Sequence, residues 1–142
     1  MTTAPAMAPA AGFASALGMM TRLAGAGPEG ADLLRFETGA THDDGRGMVH
    51  GGVLMTFAHV LLGTCLYPDP AAPAPGSLSV TCEFLAEAPA GAVLEGAARI
   101  TRRTRSIIFL AGDIVEAGPD PARPLMTATG LWRVAAGRPT AG

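Results

Sequence analysis

Apolar residues repeat at intervals of three and four over residues 52–66, through Val53, Leu54, Phe57, Leu61, Leu62, Cys65 and Leu66, until Pro68 ends the run. This pattern predicts a helix that is apolar around most of its circumference and therefore buried. One stripe differs: Gly52, Thr56, His59 and Gly63 return to nearly the same azimuth and form a small, polar face suited to a ligand. Elsewhere the period changes to two. Leu78, Val80, Cys82 and Phe84 alternate with Ser79, Thr81 and Glu83, which predicts a strand with one face on a core. Further strands are expected over 33–38, 93–102, 106–116 and 125–134. A weak amphipathic pattern of Phe13, Leu17, Met20 and Leu23 predicts a short helix over 13–23, ended by the glycines and proline at 25–28. Four prolines between 68 and 76 predict a rigid connector.

One early helix followed by consecutive strands implies an α+β arrangement, an antiparallel sheet packed on a helix. With 142 residues there is room for a single core. A flexible tail is expected over 1–12, the domain over 13–136 and a C-terminal tail over 137–142.

The helix is preceded by His50-Gly51-Gly52. Paired glycines let backbone N–H groups approach an oxyanion, and a helix N-terminus adds unbonded donors and a positive dipole end. A tight turn is the plainer reading of the glycines, and a hydrogen-bonded core residue the plainer reading of His59. Their combination on one helix favours a site that holds a polarised carbonyl.

The segment Asp44-Gly45-Arg46-Gly47-Met48-Val49-His50-Gly51-Gly52, the helix after it and the strand from Leu78 resemble the hot-dog-fold acyl-CoA thioesterases over roughly 30–134. The group most similar is the phenylacetate-pathway type, related to 4-hydroxybenzoyl-CoA thioesterases. The resemblance implies a sheet wrapped around a central helix, a homodimer or homotetramer with sheets joined edge to edge, an acyl-CoA substrate, and no cofactor beyond its coenzyme A moiety. In that family the second glycine's N–H binds the thioester carbonyl, helped by the neighbouring histidine and an upstream Asn. These roles fall on Gly52, His50 and Asp44, with Gly51 beside the substrate.

Two departures matter. Asp44 replaces the Asn, and an ionised carboxylate accepts but does not donate hydrogen bonds, which leaves it to orient His50 or water; capping the loop before the helix is its alternative role. His59 stands where the family carries Asp or Glu as nucleophile or base. A neutral imidazole can act as a base near pH 7, whereas an anhydride intermediate needs a carboxylate. Ser77 matches a Ser or Thr that holds water in relatives, or else serves the turn. Thr56 is a substrate-side hydroxyl, or bonds back to a helix carbonyl. Arg99, Arg102, Arg103 and Arg105 concentrate positive charge at a turn, where the resemblance puts coenzyme A phosphates at Arg105 and Ser106. Catalysis by His59 is set against two alternatives: acyl-CoA binding without turnover, and a dehydratase or hydratase of the same fold.

Net charge of −2 offers no field for nucleic acid or an anionic membrane. Cys65 and Cys82 lack metal-ligand spacing, so no metal site is expected. No apolar run is long enough for a bilayer, and no basic residue precedes Arg22, so a cytoplasmic location is expected.

Overall fold

The computed structural model describes residues 6–7, 13–66 and 76–133. In chain order the elements are β1 (Ala6–Met7), α1 (Phe13–Leu17), β2 (Met20–Leu23), β3 (Leu33–Glu37), α2 (Gly51–Thr64), β4 (Gly76–Phe84), β5 (Val93–Arg103), β6 (Ile107–Ala117) and β7 (Arg123–Arg133). The strands form one antiparallel sheet in the order β1-β2-β3-β5-β6-β7-β4, which leaves β4 on an edge. The α+β architecture expected from the sequence is present, with α2 packed on the sheet.

The helix side of the core is Val53, Leu54, Phe57, Ala58, Leu61 and Leu62, all buried against strand residues such as Leu94, Leu110 and Trp132. Close approach of α2 depends on strand glycines. A Cβ at Gly96 would stand 2.7 Å from the Leu61 side chain, and one at Gly130 2.5 Å from Trp132 and 3.0 Å from Leu62. Glycine leaves the space that these large side chains fill.

The expected helix over 13–23 is corrected. It stops at Leu17 because Gly18 takes φ +136°, a conformation that favours glycine, and Met20–Leu23 becomes a strand. Met20 pairs with Phe36 and is fully buried, so long-range sheet pairing overrides the local helical spacing. The expectation of a buried rather than amphipathic helix is also corrected. Gly52, Met55 and His59 are exposed along α2, while Gly63 at the end of the predicted stripe is buried. On β4, Val80 and Cys82 are half-buried against the core, but Leu78 and Phe84 are 45% and 52% exposed.

Of the predicted tails and connector, Ala6 and Met7 pair with β2. The rest of 1–12, residues 67–75 and residues 134–142 lie outside the described residues. Burial pushes the Cys65 and Cys82 thiols up from their ordinary pKa, consistent with small apolar packing roles. Among the described residues no helix is long and apolar enough to cross a membrane.

Candidate active site

The approach to α2 is a loop held by its own carboxylates. Asp43 accepts from the N–H groups of Gly45 and Gly47 at 2.6 and 3.0 Å, and both glycines adopt positive φ to close the turn. Asp44 accepts from the Arg46 N–H at 2.7 Å and from the Arg46 guanidinium at 2.8 and 3.1 Å. Those bonds, led by the Arg46 backbone N–H, hold its carboxyl below the usual range. Arg46 also pairs with Glu87. Asp44 therefore takes the loop-capping role, and the structure shows no bond from it to His50.

His50 is the N-cap of α2. Its backbone is extended, at φ −61° and ψ 136°, and its Nδ1 accepts the Gly52 N–H at 2.8 Å. Nδ1 as acceptor leaves the proton of the neutral ring on Nε2. The amide expected to face a carbonyl is thus held by the neighbouring imidazole. Among the described residues the Gly51 N–H has no acceptor. The ring of Phe84 covers Gly51, where a Cβ would lie 3.5 Å away.

Further along α2, Thr56 donates to the Gly52 carbonyl at 2.9 Å, so its hydroxyl bonds back to the helix. His59 is exposed, and its Nε2 lies 3.2 Å from Oγ of Ser77, the second residue of β4. The buried Trp132 backs this pair. Its ring centroid is 5.5 Å from that of His59, and Trp132 is the register partner of Ser77.

Two cavities flank these groups. One of about 490 Å³ is strongly apolar and runs between α1 and β4, lined by Phe13, Met55, Thr56, His59, Val80 and Cys82. The other, about 410 Å³, is lined by Asp44, Arg46, Val49, Gly51, Leu54 and Phe84. Within one chain Gly51 and His59 therefore line separate cavities. The physical reason is helix length: seven residues at 1.5 Å each separate Gly52 from His59 by about 10 Å.

The β5–β6 turn is fastened by Thr104, whose hydroxyl donates to the Ile107 carbonyl and accepts its N–H, both at 3.0 Å. Ile107 pairs with Arg133, which pairs with Gly76, so Arg105 and Ser106 lie at the Ser77 end of the sheet. Two strand spacings, about 10 Å, separate that turn from β4. Among the described residues Arg102, Arg103, Arg105 and Arg133 have no carboxylate partner, whereas Arg99 pairs with Asp113 at 3.4 Å. Trp132, Arg133 and Met55 were not singled out in the sequence, and Phe13 was read only as part of a short helix. The lone tryptophan of the chain, on a strand ending in arginine, was the available signal.

Residues 40–133, more than half of the chain, match the family model described as acyl-CoA thioesterase N-terminal domain. The chain belongs to the acyl-CoA thioesterase family. The fold is shared with a phenylacetic acid degradation-related protein from Ralstonia eutropha JMP134, at 24% identity and TM-score 0.61 over 78% of this chain and 77% of that one. It is shared with a Streptococcus pneumoniae TIGR4 thioesterase protein solved with coenzyme A, at 17% identity and TM-score 0.65 over 74% and 81%. A Streptococcus mutans UA159 protein bound to acetyl-CoA matches at 16% identity and TM-score 0.63 over 73% and 80%. Among curated proteins no sequence matches this thioesterase-family chain. The hot-dog arrangement expected from the sequence thus stands on both the family match and the shared fold.

Proposed function

We propose that this chain hydrolyses an acyl-CoA thioester to a free acid and coenzyme A, with His59 as general base. The observation that carries this reading is the exposed His59 Nε2 on Ser77 Oγ, beside an apolar cavity in a thioesterase-family fold. Thioester cleavage needs a base at the attacking group and donors at the developing oxyanion. His59 supplies the first. The first-turn amides of Gly51 and Gly52 supply the second, Gly52 once the His50 ring turns away and His50 Nε2–H as a further donor. The acyl group lies in the apolar crevice past Thr56. The coenzyme A moiety extends toward Arg105 and Ser106, as the ligands of the two streptococcal relatives make chemically reasonable.

A homodimer completes this site. An unpaired edge such as β4 needs covering. Antiparallel pairing of two copies about Thr81 sets exposed Leu78 of one opposite exposed Phe84 of the other. It also brings the Gly51–Gly52 turn behind the second copy's Phe84 toward the first copy's Ser77 and His59. A tetramer built from such dimers leaves that pairing intact. The same reading places the protein in the cytoplasm, with no cofactor and no nucleic-acid or membrane partner.

The test is CoA release, followed as free thiol, from acetyl-, octanoyl- and benzoyl-CoA. Release by the wild type and its loss in His59→Ala supports the proposal. The second reading, acyl-CoA binding without turnover, is favoured by the hold of His50 on the Gly52 amide. Binding of all three esters with no thiol release decides for it.

A further inference from the structure

Resting on the thioesterase reading above, we propose that Ser77 is the nucleophile, and that the reaction passes through an ester of the acyl group on Ser77 Oγ. Four observations converge on this hydroxyl. In the tautomer protonated on Nδ1, His59 Nε2 has one lone pair, and the Ser77 hydroxyl lies 3.2 Å from it, placed to give that base its proton. Thr56, a hydroxyl on the same helical face as His59, is bonded to the Gly52 carbonyl. The β4–β7 register shifts between Ser77 and Ser79, a bulge that re-aims the side chain at a sheet edge. Trp132, buried and in register with Ser77, fixes the ring and the hydroxyl against one rigid wall. Among the described residues no carboxylate is bonded to His59, so an anhydride route has no nucleophile at this position.

The step balances without any further reactant. Ser77 Oγ attacks the thioester carbon as its proton passes to His59 Nε2, and the carbonyl electron pair moves to the oxygen held by the amides. Collapse breaks the C–S bond; the sulfur leaves with the electron pair and takes the proton from His59. Water then adds to the ester, giving its proton to His59 Nε2, and Ser77 Oγ departs with that proton as the acid forms.

A common intermediate has a signature that direct attack by water lacks. The same acyl group is presented on coenzyme A and on pantetheine in the presence of hydroxylamine, and the ratio of hydroxamate to acid is measured after subtracting the uncatalysed reaction. A ratio independent of the leaving thiol, an acyl mass on the Ser77 peptide after rapid quench, and a loss of about a hundredfold or more in Ser77→Ala support the proposal. Ser77→Cys should retain an acyl adduct at position 77. Thiol release in which the ratio changes with the leaving thiol, or Ser77→Ala within about tenfold of wild type, overturns Ser77 as nucleophile and leaves the thioesterase reading standing. No thiol release from either ester by the wild type overturns both.

Discussion

Two inactive variants, combined in one dimer, should restore about half of the wild-type turnover per dimer. The first, His59→Ala, removes the base, which is expected to cost about 10²–10⁴ in rate. The second, Gly52→Val, puts a branched side chain where the carbonyl must approach. Even a Cβ there would stand 3.0 Å from His50 Nδ1, so the substitution also drives the cap from its amide. Losing an oxyanion donor costs about 10²–10³. The expected rescue follows from distance. Gly52 and His59 are seven residues apart on α2, about 10 Å along its axis, whereas the groups acting on one carbonyl must each lie within about 3 Å of the reacting atoms. A site using both ends therefore draws them from two chains, and a mixed dimer has one intact site and one doubly damaged site. The assay is co-expression with two affinity tags, sequential purification of the heterodimer, and CoA release under saturating substrate. A heterodimer as inactive as either parent, with the wild-type/His59→Ala control at half activity, would refute the two-chain argument. An active Gly52→Val homodimer would refute the role of the amide.

Arg105→Ala should raise KM for an acyl-CoA about tenfold while leaving the KM of the matching pantetheine ester unchanged, because only the former carries the nucleotide phosphates. An equal change in both would remove Arg105 from phosphate binding. Gly130→Ala should destabilise the fold by about 1–3 kcal/mol in urea unfolding, since its Cβ would meet Trp132 at 2.5 Å and Leu62 at 3.0 Å in a close-packed core. An unchanged midpoint would show that α2 is not seated against the strand glycines. Asp32 accepts from the Gly25 N–H at 3.0 Å and pairs with Arg22 at 2.5 Å, which together hold its carboxyl below the usual range. Its contribution is therefore fully present above the ordinary carboxylate pKa and lost as pH falls through the lowered one. Wild type should exceed Asp32→Asn in urea midpoint at neutral pH, with the difference shrinking as pH falls below the ordinary carboxylate pKa and through the lowered one. A constant difference would assign the effect to shape rather than charge.

Local periodicity made α2, β3 and the strands from β4 onward legible, because each repeats one spacing over enough residues to fix a buried face. The β2 strand was not legible. Met20 and Leu23 fit a helical interval, and only the pairing of Met20 with Phe36, sixteen residues away, and the backbone of Gly18 decide for extended chain. One juxtaposition was legible: His59 and Ser77, eighteen positions apart, were both named from the sequence and meet at 3.2 Å. What the sequence did not carry was where hydroxyls and amides spend their hydrogen bonds. Thr56 turning back to Gly52, Asp44 closing on Arg46 and His50 capping Gly52 are all local choices with an equally good functional alternative. The split between the two cavities follows from helix rise and edge exposure, which appear only when the elements are assembled.

The role of His59 is tested most directly by initial CoA release from octanoyl-CoA and benzoyl-CoA, with the wild type and His59→Ala at matched, folded concentrations. The predicted result is measurable thiol release by the wild type on at least one ester and a fall of about 10²-fold or more in the variant with substrate binding retained. Equal release by the two proteins would contradict an imidazole acting at the thioester.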